Sequence, residues 1–276
     1  MSIFDKIEES TEFIKERIPV VPKVAIVLGS GLGNLTDKMS IDIRIPYGVI
    51  PHFPEATVKG HSGELIFGSL GNTHVAVQSG RYHYYEGYDM KTVTLPIRVF
   101  GLMGIEKVIM ASAVGGIHEA YEAGDVTVVN DHINLHHENP LNGPNDDRLG
   151  PRFPDMVDAY DSELIEICHE VAREKGIVLY DSIYAGLPGP NIETKAEYNF
   201  LHTIGATVVG MSTVPEVLVA KHMNLKSCVL TAVTNKCYPI SAIRQISHEE
   251  VVQVAQKTEE KITTIVIGLL SKLSSN

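Results

Sequence analysis

Short apolar runs recur along the chain, each bounded by Gly, Pro or polar clusters. They predict strands at 24–28, 64–67, 74–78, 107–110, 126–129, 177–179, 207–209 and 227–233. Between them the spacing of apolar positions changes from two to about 3.6, the period of a helix packed on one side. Residues 8–17 form a polar amphipathic stretch that ends before "IPVVPK". "SELIEICHEVAREKG" closes on Gly176, and "TKAEYNFLHTIG" on Gly205, where a left-handed residue ends a helix without Cβ strain. "PEVLVAKHMN" opens with a proline suited to a first turn. The last helix opens on Ser247 with Glu250 three residues later, a capping box.

Alternating strands and helices predict an α/β fold. Adjacent hairpin-like strands in the first third make its central sheet mixed, flanked by helices. No repeat, low-complexity tract or Ser/Gly linker divides residues 1–276, which are expected to form a single domain. The Pro- and Asn-rich "NPLNGPNDDRLGPRFP" reads as a long functional loop.

Composition narrows the function classes. Hydrophobic residues at 44% and charged residues at 21% suit a globular chain with a sizeable core. A net charge of −11 argues against a nucleic-acid or membrane-surface partner, so any bound anion needs local donors against an unfavourable field. "MSIFDKIEES" lacks a secretory pattern, and "ITTIVIGLL" is about half the length of a membrane span. Cys168, Cys228 and Cys237 have no metal or redox spacing and are expected to be reduced, buried thiols of a cytoplasmic protein.

"VAIVLGSGLGNL" runs a strand into Gly29, Gly31 and Gly33, with Ser30 between the first two. Such turns let backbone N–H groups approach an anion. The spacing is G-x-G-x-G rather than the dinucleotide G-x-G-x-x-G, no acidic residue follows a second strand, and no Lys-Ser/Thr pair follows the glycines. A ligand-free tight turn and a site for one isolated phosphate beside Ser30 both fit the loop.

Further polar residues gather at predicted strand ends. "GHSGELIFG" offers His61. "SGRYHYYEGY" offers Arg81, His83, Tyr85 and Glu86, and if extended it puts Arg81, His83 and Tyr85 on one face. Arginine supplies a donor fork matched to phosphate; solvated charges on an edge strand are the structural alternative. "ASAVGGIH" leaves Ser112 and Ala113 at a strand end, and "GMSTVPEV" puts Met211 and Ser212 at a strand-to-helix junction. Glu193 lies beside a helix start, where it could serve only the dipole, and Asn235 ends an apolar strand. Together their donors and acceptors can read a purine edge. His132 and His136 stand four residues apart, but ligation at that spacing needs a helix and "VTVVNDHINL" reads as a strand running into a loop with no HExxH beside it; neither they nor His137 are expected to hold a metal, and Asp131 and His132 are assigned structural roles.

Taken in order, "GSGLG", "GHSGELIFG", "GRYHYYEGY", "AVGGI", "DHINL…NPLNGPND", "NIETKAEY", "GMSTVPEV", "TNK" and "SHEEV" resemble the trimeric purine nucleoside phosphorylases over most of the chain. The resemblance implies a phosphate site of Ser30, His61, Arg81, His83, Ala113 (through its backbone) and Ser212. It implies a ribose site near Tyr85, Met211 and His248, with His248 facing the 5′-hydroxyl, and base recognition by Glu193 and Asn235. Catalysis would rest on His83, Glu193, Asn235 and His248, and Phe153 would reach a neighbouring subunit of a homotrimer. Ile192 replaces a phenylalanine of the animal enzymes, and Ser112 an asparagine common among relatives.

The implied reaction is cytoplasmic purine salvage by phosphorolysis of inosine, guanosine and their deoxy forms, with phosphate as co-substrate and no cofactor. A methylthioadenosine phosphorylase shares the block order, but that branch uses Asp-rich base recognition and a His-free ribose end. A non-catalytic nucleoside-binding module and a dinucleotide oxidoreductase are the alternatives from other classes.

Overall fold

A nine-stranded mixed sheet organises the described residues, 1–55 and 62–274, of this computed structural model. In chain order the elements begin with α1 (Ile3–Lys15), β1 (Val24–Leu28), β2 (Met39–Pro46), β3 (Glu64–Leu70), β4 (Thr73–Ser79), α2 (Met90–Val93) and α3 (Leu95–Met103). They continue with β5 (Lys107–Gly116), β6 (Val126–Asn134), α4 (Ser162–Lys175), β7 (Leu179–Gly186), α5 (Lys195–Thr203), β8 (Val208–Gly210), α6 (Val214–His222), β9 (Lys226–Lys236) and α7 (His248–Ser274).

Every residue of β1 is buried, as expected of a central strand covered on both faces. Its side chains alternate between two cores. Ala25 and Val27 join the core beneath α1, α3 and α6, whereas Val24, Ile26 and Leu28 join the one beneath α4 and α7. At about 25 cal/mol per Å² of apolar surface, these two layers supply most of the fold's driving force.

β1 pairs in parallel with β4 on one side and β5 on the other, while β2, β3 and β4 form an antiparallel meander. β5, β8, β7, β6 and β9 close into a ring, because β9 pairs with both β6 and β5. β1 stays paired with β5 only as far as Met110, and β8 joins it only at Gly115. Between those points one edge of β5 is open. Ligands gather where parallel strands part in this way.

The local signals for caps hold. Gly176 is left-handed at φ 66, Pro215 lies in the first turn of α6, and Ser247 and Glu250 exchange backbone hydrogen bonds at 3.2 and 2.9 Å. Four expectations are corrected. The first helix starts at Ile3, five residues earlier than read, because Ser2 and Asp5 form a capping box. β2, α2 and α3 were not anticipated, and β7 starts at Leu179 rather than two residues before it. Ser112 and Ala113 lie inside β5, which runs on to Gly116. Finally, Arg81, His83 and Tyr85 do not share one face of an extended strand. Gly80 turns the chain at φ 97, and Tyr84–Glu86 is a 3₁₀ turn capped by His83 and Glu86.

Candidate active site

The open edge of β5 forms the floor of a cavity of about 480 Å³, in the range of small-molecule sites. Ser112, Ala113, Val114 and Gly115 supply that floor, and Gly29 and Ser30 of the glycine loop overhang it. The close approach needs Gly29: a Cβ there would lie 2.9 Å from the Ala111 carbonyl oxygen. Gly31 turns at φ +74 against α7, where a Cβ would meet Val252 O and Ala255 at 2.9 Å, whereas Gly33 faces open space.

One end of the cavity is built for an anion. Arg81 is fully buried, and its Nη1 donates to Ser212 Oγ and Thr213 Oγ1, both at 2.9 Å, while Nη2 donates to the Ala111 carbonyl at 3.1 Å. Glu216 lies 3.5 Å from Nη1 and accepts the Thr213 N–H at 3.1 Å. Thr213 is the centre of a γ-turn, φ 67 and ψ −55, closed by Val214 N–H to Ser212 O at 2.7 Å. A β-branched residue in that conformation is strained, and the bonds to Arg81 and Glu216 over-determine it. On the other wall His83 Nδ1 donates to Glu86 Oε1 at 2.9 Å, which orients the ring, and the imidazole stacks on Tyr85 with centroids 4.7 Å apart. Burial pushes the Tyr85 phenol up to about 12, so it is a neutral hydrogen-bonding group at physiological pH.

The other end carries Glu193, Tyr198 and Asn235. Glu193 directly precedes Thr194, the N-cap of α5, and Asn235 lies one residue before the end of β9. Burial raises the Glu193 carboxyl above its ordinary value, and its own backbone N–H and the nearby Tyr198 phenol act in the opposite direction. The Asn235 amide is held on both sides. Its Nδ2 donates to Cys237 Sγ at 3.0 Å, and its Oδ1 accepts from Thr234 Oγ1 at 3.0 Å. Met211 and His248 line the middle. Ile192, half exposed, stands between this cavity and a wider one of about 810 Å³ bordered by Arg244, Gln245 and Ser247.

Sequence similarity covers the whole of this arrangement. Residues 23–271 match the Phosphorylase superfamily. The chain is 40% identical over 270 residues to "Purine nucleoside phosphorylase 1" of Geobacillus stearothermophilus, covering 98% of each chain. It belongs to the purine nucleoside phosphorylase family. Another member, from Bos taurus, is 39% identical over 276 residues, covering 98% of this chain and 96% of that one. A Schistosoma purine nucleoside phosphorylase crystallised with hypoxanthine superposes with a TM-score of 0.92 at 36% identity over 99% of both chains. A Schistosoma mansoni structure with adenosine gives the same score and identity.

Of the residues singled out from sequence, Ser30, Arg81, His83, Tyr85, Ala113, Glu193, Met211, Ser212, Asn235 and His248 all line this one cavity. His61 lies outside the described residues. Phe153 is 87% exposed and does not border the cavity of its own chain. His132 and Asp131 bond within their surroundings, to Tyr160 and to the His132 N–H. Among the described residues no three His, Cys, Asp or Glu side chains group as metal ligands. All three cysteines are buried thiols, with Cys168 and Cys228 sulfurs 3.6 Å apart.

Sequence reasoning missed Thr213, Glu216, Tyr198 and Cys237. The first two were findable, because T-x-x-E in "STVPEV" is a capping-box signature. Tyr198 and Cys237 carry no local signal.

Proposed function

We propose that this chain catalyses reversible phosphorolysis of 6-oxopurine nucleosides, giving free purine and ribose 1-phosphate or its deoxy counterpart. One observation carries the reading: a single cavity joins the Arg81–Ser212 anion end to the Glu193–Asn235 end. A nucleoside bound with its base at the Glu193–Asn235 end would put its sugar between the two, next to Met211, Tyr85 and His248.

Breaking the glycosidic bond puts positive charge on the sugar and negative charge on the departing base, so contacts that strengthen with that charge accelerate the step. Phosphate, held by Ser30, Arg81, His83, Ser212 and the Ala113 backbone, both faces the cationic sugar and attacks its anomeric carbon. Asn235 hydrogen-bonds N7 as density moves onto the purine. The Glu193 carboxylate accepts from N1–H, a donor that 6-oxopurines have and adenine lacks. His248 holds the 5′-hydroxyl. The scheme calls for no metal or organic cofactor.

We further assign the exposed Phe153 to the cavity of a neighbouring copy, which makes a homotrimer the working assembly, engaged in purine salvage in the cytoplasm. Among the described residues no helix is long and apolar enough to cross a membrane.

Purified protein should convert inosine to hypoxanthine only when phosphate is supplied. Lack of turnover, or turnover without phosphate, would refute the assignment, and faster use of methylthioadenosine than of inosine would move it to that branch. Light scattering that finds a monomer, or full activity in Phe153→Ala, would remove the shared-site reading.

A further inference from the structure

The Pro- and Asn-rich loop read from sequence as functional does not line the active-site cavity. Its residues between Pro140 and Leu149 instead border a separate small cavity, of about 30 Å³, against α2, α3 and α6. Arg98 of α3 lines that cavity and is only 7% exposed. Its Nη1 donates to His222 Nδ1 at 2.8 Å. A guanidinium can only donate, so Nδ1 is the acceptor and the imidazole is neutral, with its hydrogen on Nε2. Asn145 Oδ1 lies 3.3 Å from that nitrogen. The Asn145 amide then spends its two hydrogens on Asp147 Oδ1 at 2.8 Å and Gly150 O at 2.9 Å. Gly150 is needed for this approach of loop to helix, because a Cβ there would collide with His222 O.

The hydrogen bonds run on from Arg98 into the loop, but the charge of Arg98 is not balanced. His222 is neutral, and among the described residues no carboxylate pairs with the guanidinium and no acceptor other than His222 meets it. Burial holds Arg98 down to about 10, with no acidic group acting against it. A second cation, Lys91 of α2, lines the same cavity. Its Nζ lies 3.2 Å from where a Cβ of Gly143 would stand, and among the described residues it has no ion-pair partner. The nearest acids are engaged elsewhere. Asp146 accepts from Arg148 Nε and Nη2 at 2.8 and 2.5 Å, and Glu138 Oε2 accepts the Met90 N–H at 3.4 Å. Two like charges facing one partly buried pocket are costly unless an anion joins them.

We propose that Arg98, Lys91 and the Asn142 amide form a binding site for a halide ion such as chloride, and that the bound ion ties the 140–150 loop to α2 and α3. The volume has room for one or two water-sized groups, which suits a halide and excludes a tetrahedral phosphate. The remaining Arg98 N–H groups and the Lys91 ammonium supply charge-assisted hydrogen bonds. Thr94 takes no part, since its hydroxyl donates to Met90 O at 2.7 Å. The site is independent of the reaction proposed above.

The test is thermal unfolding of the whole chain as sodium gluconate is exchanged for sodium chloride at constant ionic strength. Phosphate is kept present throughout, so that the Arg81 end does not contribute to the response. Wild-type Tm should rise saturably, by roughly 3–5 °C once chloride exceeds its Kd tenfold, and bromide should act in the same way. Lys91→Met changes a half-buried side chain and should need several-fold more chloride, whereas Arg98→Met should lose the response. A wild-type Tm that stays flat through the exchange would overturn the site. So would an equal rise in all three proteins, which marks a general salt effect. If Arg98→Met does not fold, a wild-type chloride curve in Lys91→Met overturns it. Crystals grown in bromide give a direct readout: an anomalous peak between Arg98 and Lys91 supports the site, and its absence at saturating bromide refutes it.

Discussion

Three alanine substitutions in the glycine loop should have three different outcomes. At Gly29 the new Cβ would sit 2.9 Å from Ala111 O and 3.3 Å from the Ser112 Cα, both backbone atoms of β5 that cannot rotate away. The first distance is about 0.5 Å short of ordinary contact, and overpacking of that kind costs about 1–3 kcal/mol. For a chain this size each kcal/mol lowers Tm by roughly 2–4 °C. The same shift displaces the carbonyl that accepts Arg81 Nη2, so Gly29→Ala should raise KM for phosphate about tenfold while the inosine KM changes little. At Gly31 the left-handed φ of +74 adds about 1–2 kcal/mol to a clash with Val252 O and Ala255. That substitution loosens α7 and should be the most destabilising. At Gly33 nothing lies within 4 Å and the backbone is right-handed, φ −86, so alanine should be neutral or stabilise slightly, by about 0.4–1 kcal/mol. Thermal unfolding with and without phosphate, followed by phosphate and inosine saturation curves, measures all three. The reasoning fails if Gly33→Ala is as damaging as Gly29→Ala, or if Gly29→Ala keeps both wild-type Tm and phosphate KM.

Asn235→Asp should shift preference toward 6-aminopurines, because a protonated Asp donates to N7 while its other oxygen accepts an amino group; an unchanged adenosine-to-inosine ratio would count against base recognition there. Glu216→Gln removes the negative partner of a buried Arg81, and a loss of about 3 kcal/mol in urea unfolding is expected; a wild-type midpoint would refute it. Burial lowers His136 from 6.5 to about 4, so between those values the unfolded chain takes up a proton that the folded chain refuses. Stability should therefore fall as pH drops through that window, by at most about 3 kcal/mol in total, and His136→Gln should flatten the loss. A pH-independent Tm across the window would exclude this.

What the sequence disclosed divides by the range of the interaction. β1 and the caps at Gly176 and Ser247 were legible because their causes lie within a few residues. β2 alternates Met39, Ile41, Ile43 and Ile45 against Ser40, Asp42, Arg44 and Pro46, yet its half-exposed, proline-ended pattern reads as loop. α3 was missed for the opposite reason: it is apolar on most sides, so the 3.6-residue contrast that marks a surface helix is absent. The site was legible through the ordered set of blocks rather than through any one of them. The strained turn at Thr213 was not, since propensity forbids a β-branched residue at positive φ. Only the tertiary bonds to Arg81 and Glu216 make it stable.

The anion end also explains how a chain of net charge −11 can handle phosphate as a substrate. Arg81 does not wait for the ligand as a naked cation: it lies 3.5 Å from the buried carboxylate of Glu216, while Glu86 accepts from the His83 ring at 2.9 Å and orients it. A guanidinium buried without a carboxylate would be costly in the empty site and would grip a dianion hard once it arrived. With Glu216 in place the Arg81 charge is offset in the empty site, and with Glu86 holding the His83 ring the donors are already aimed. Orientation is thereby separated from net charge. Phosphate gains hydrogen bonds from Arg81, Ser212 and their neighbours without the full attraction of an unpaired cation, which would hold substrate and sugar phosphate alike and slow release. On the proposed reading the carboxylates are thus part of turnover, because they keep the binding of an anion reversible.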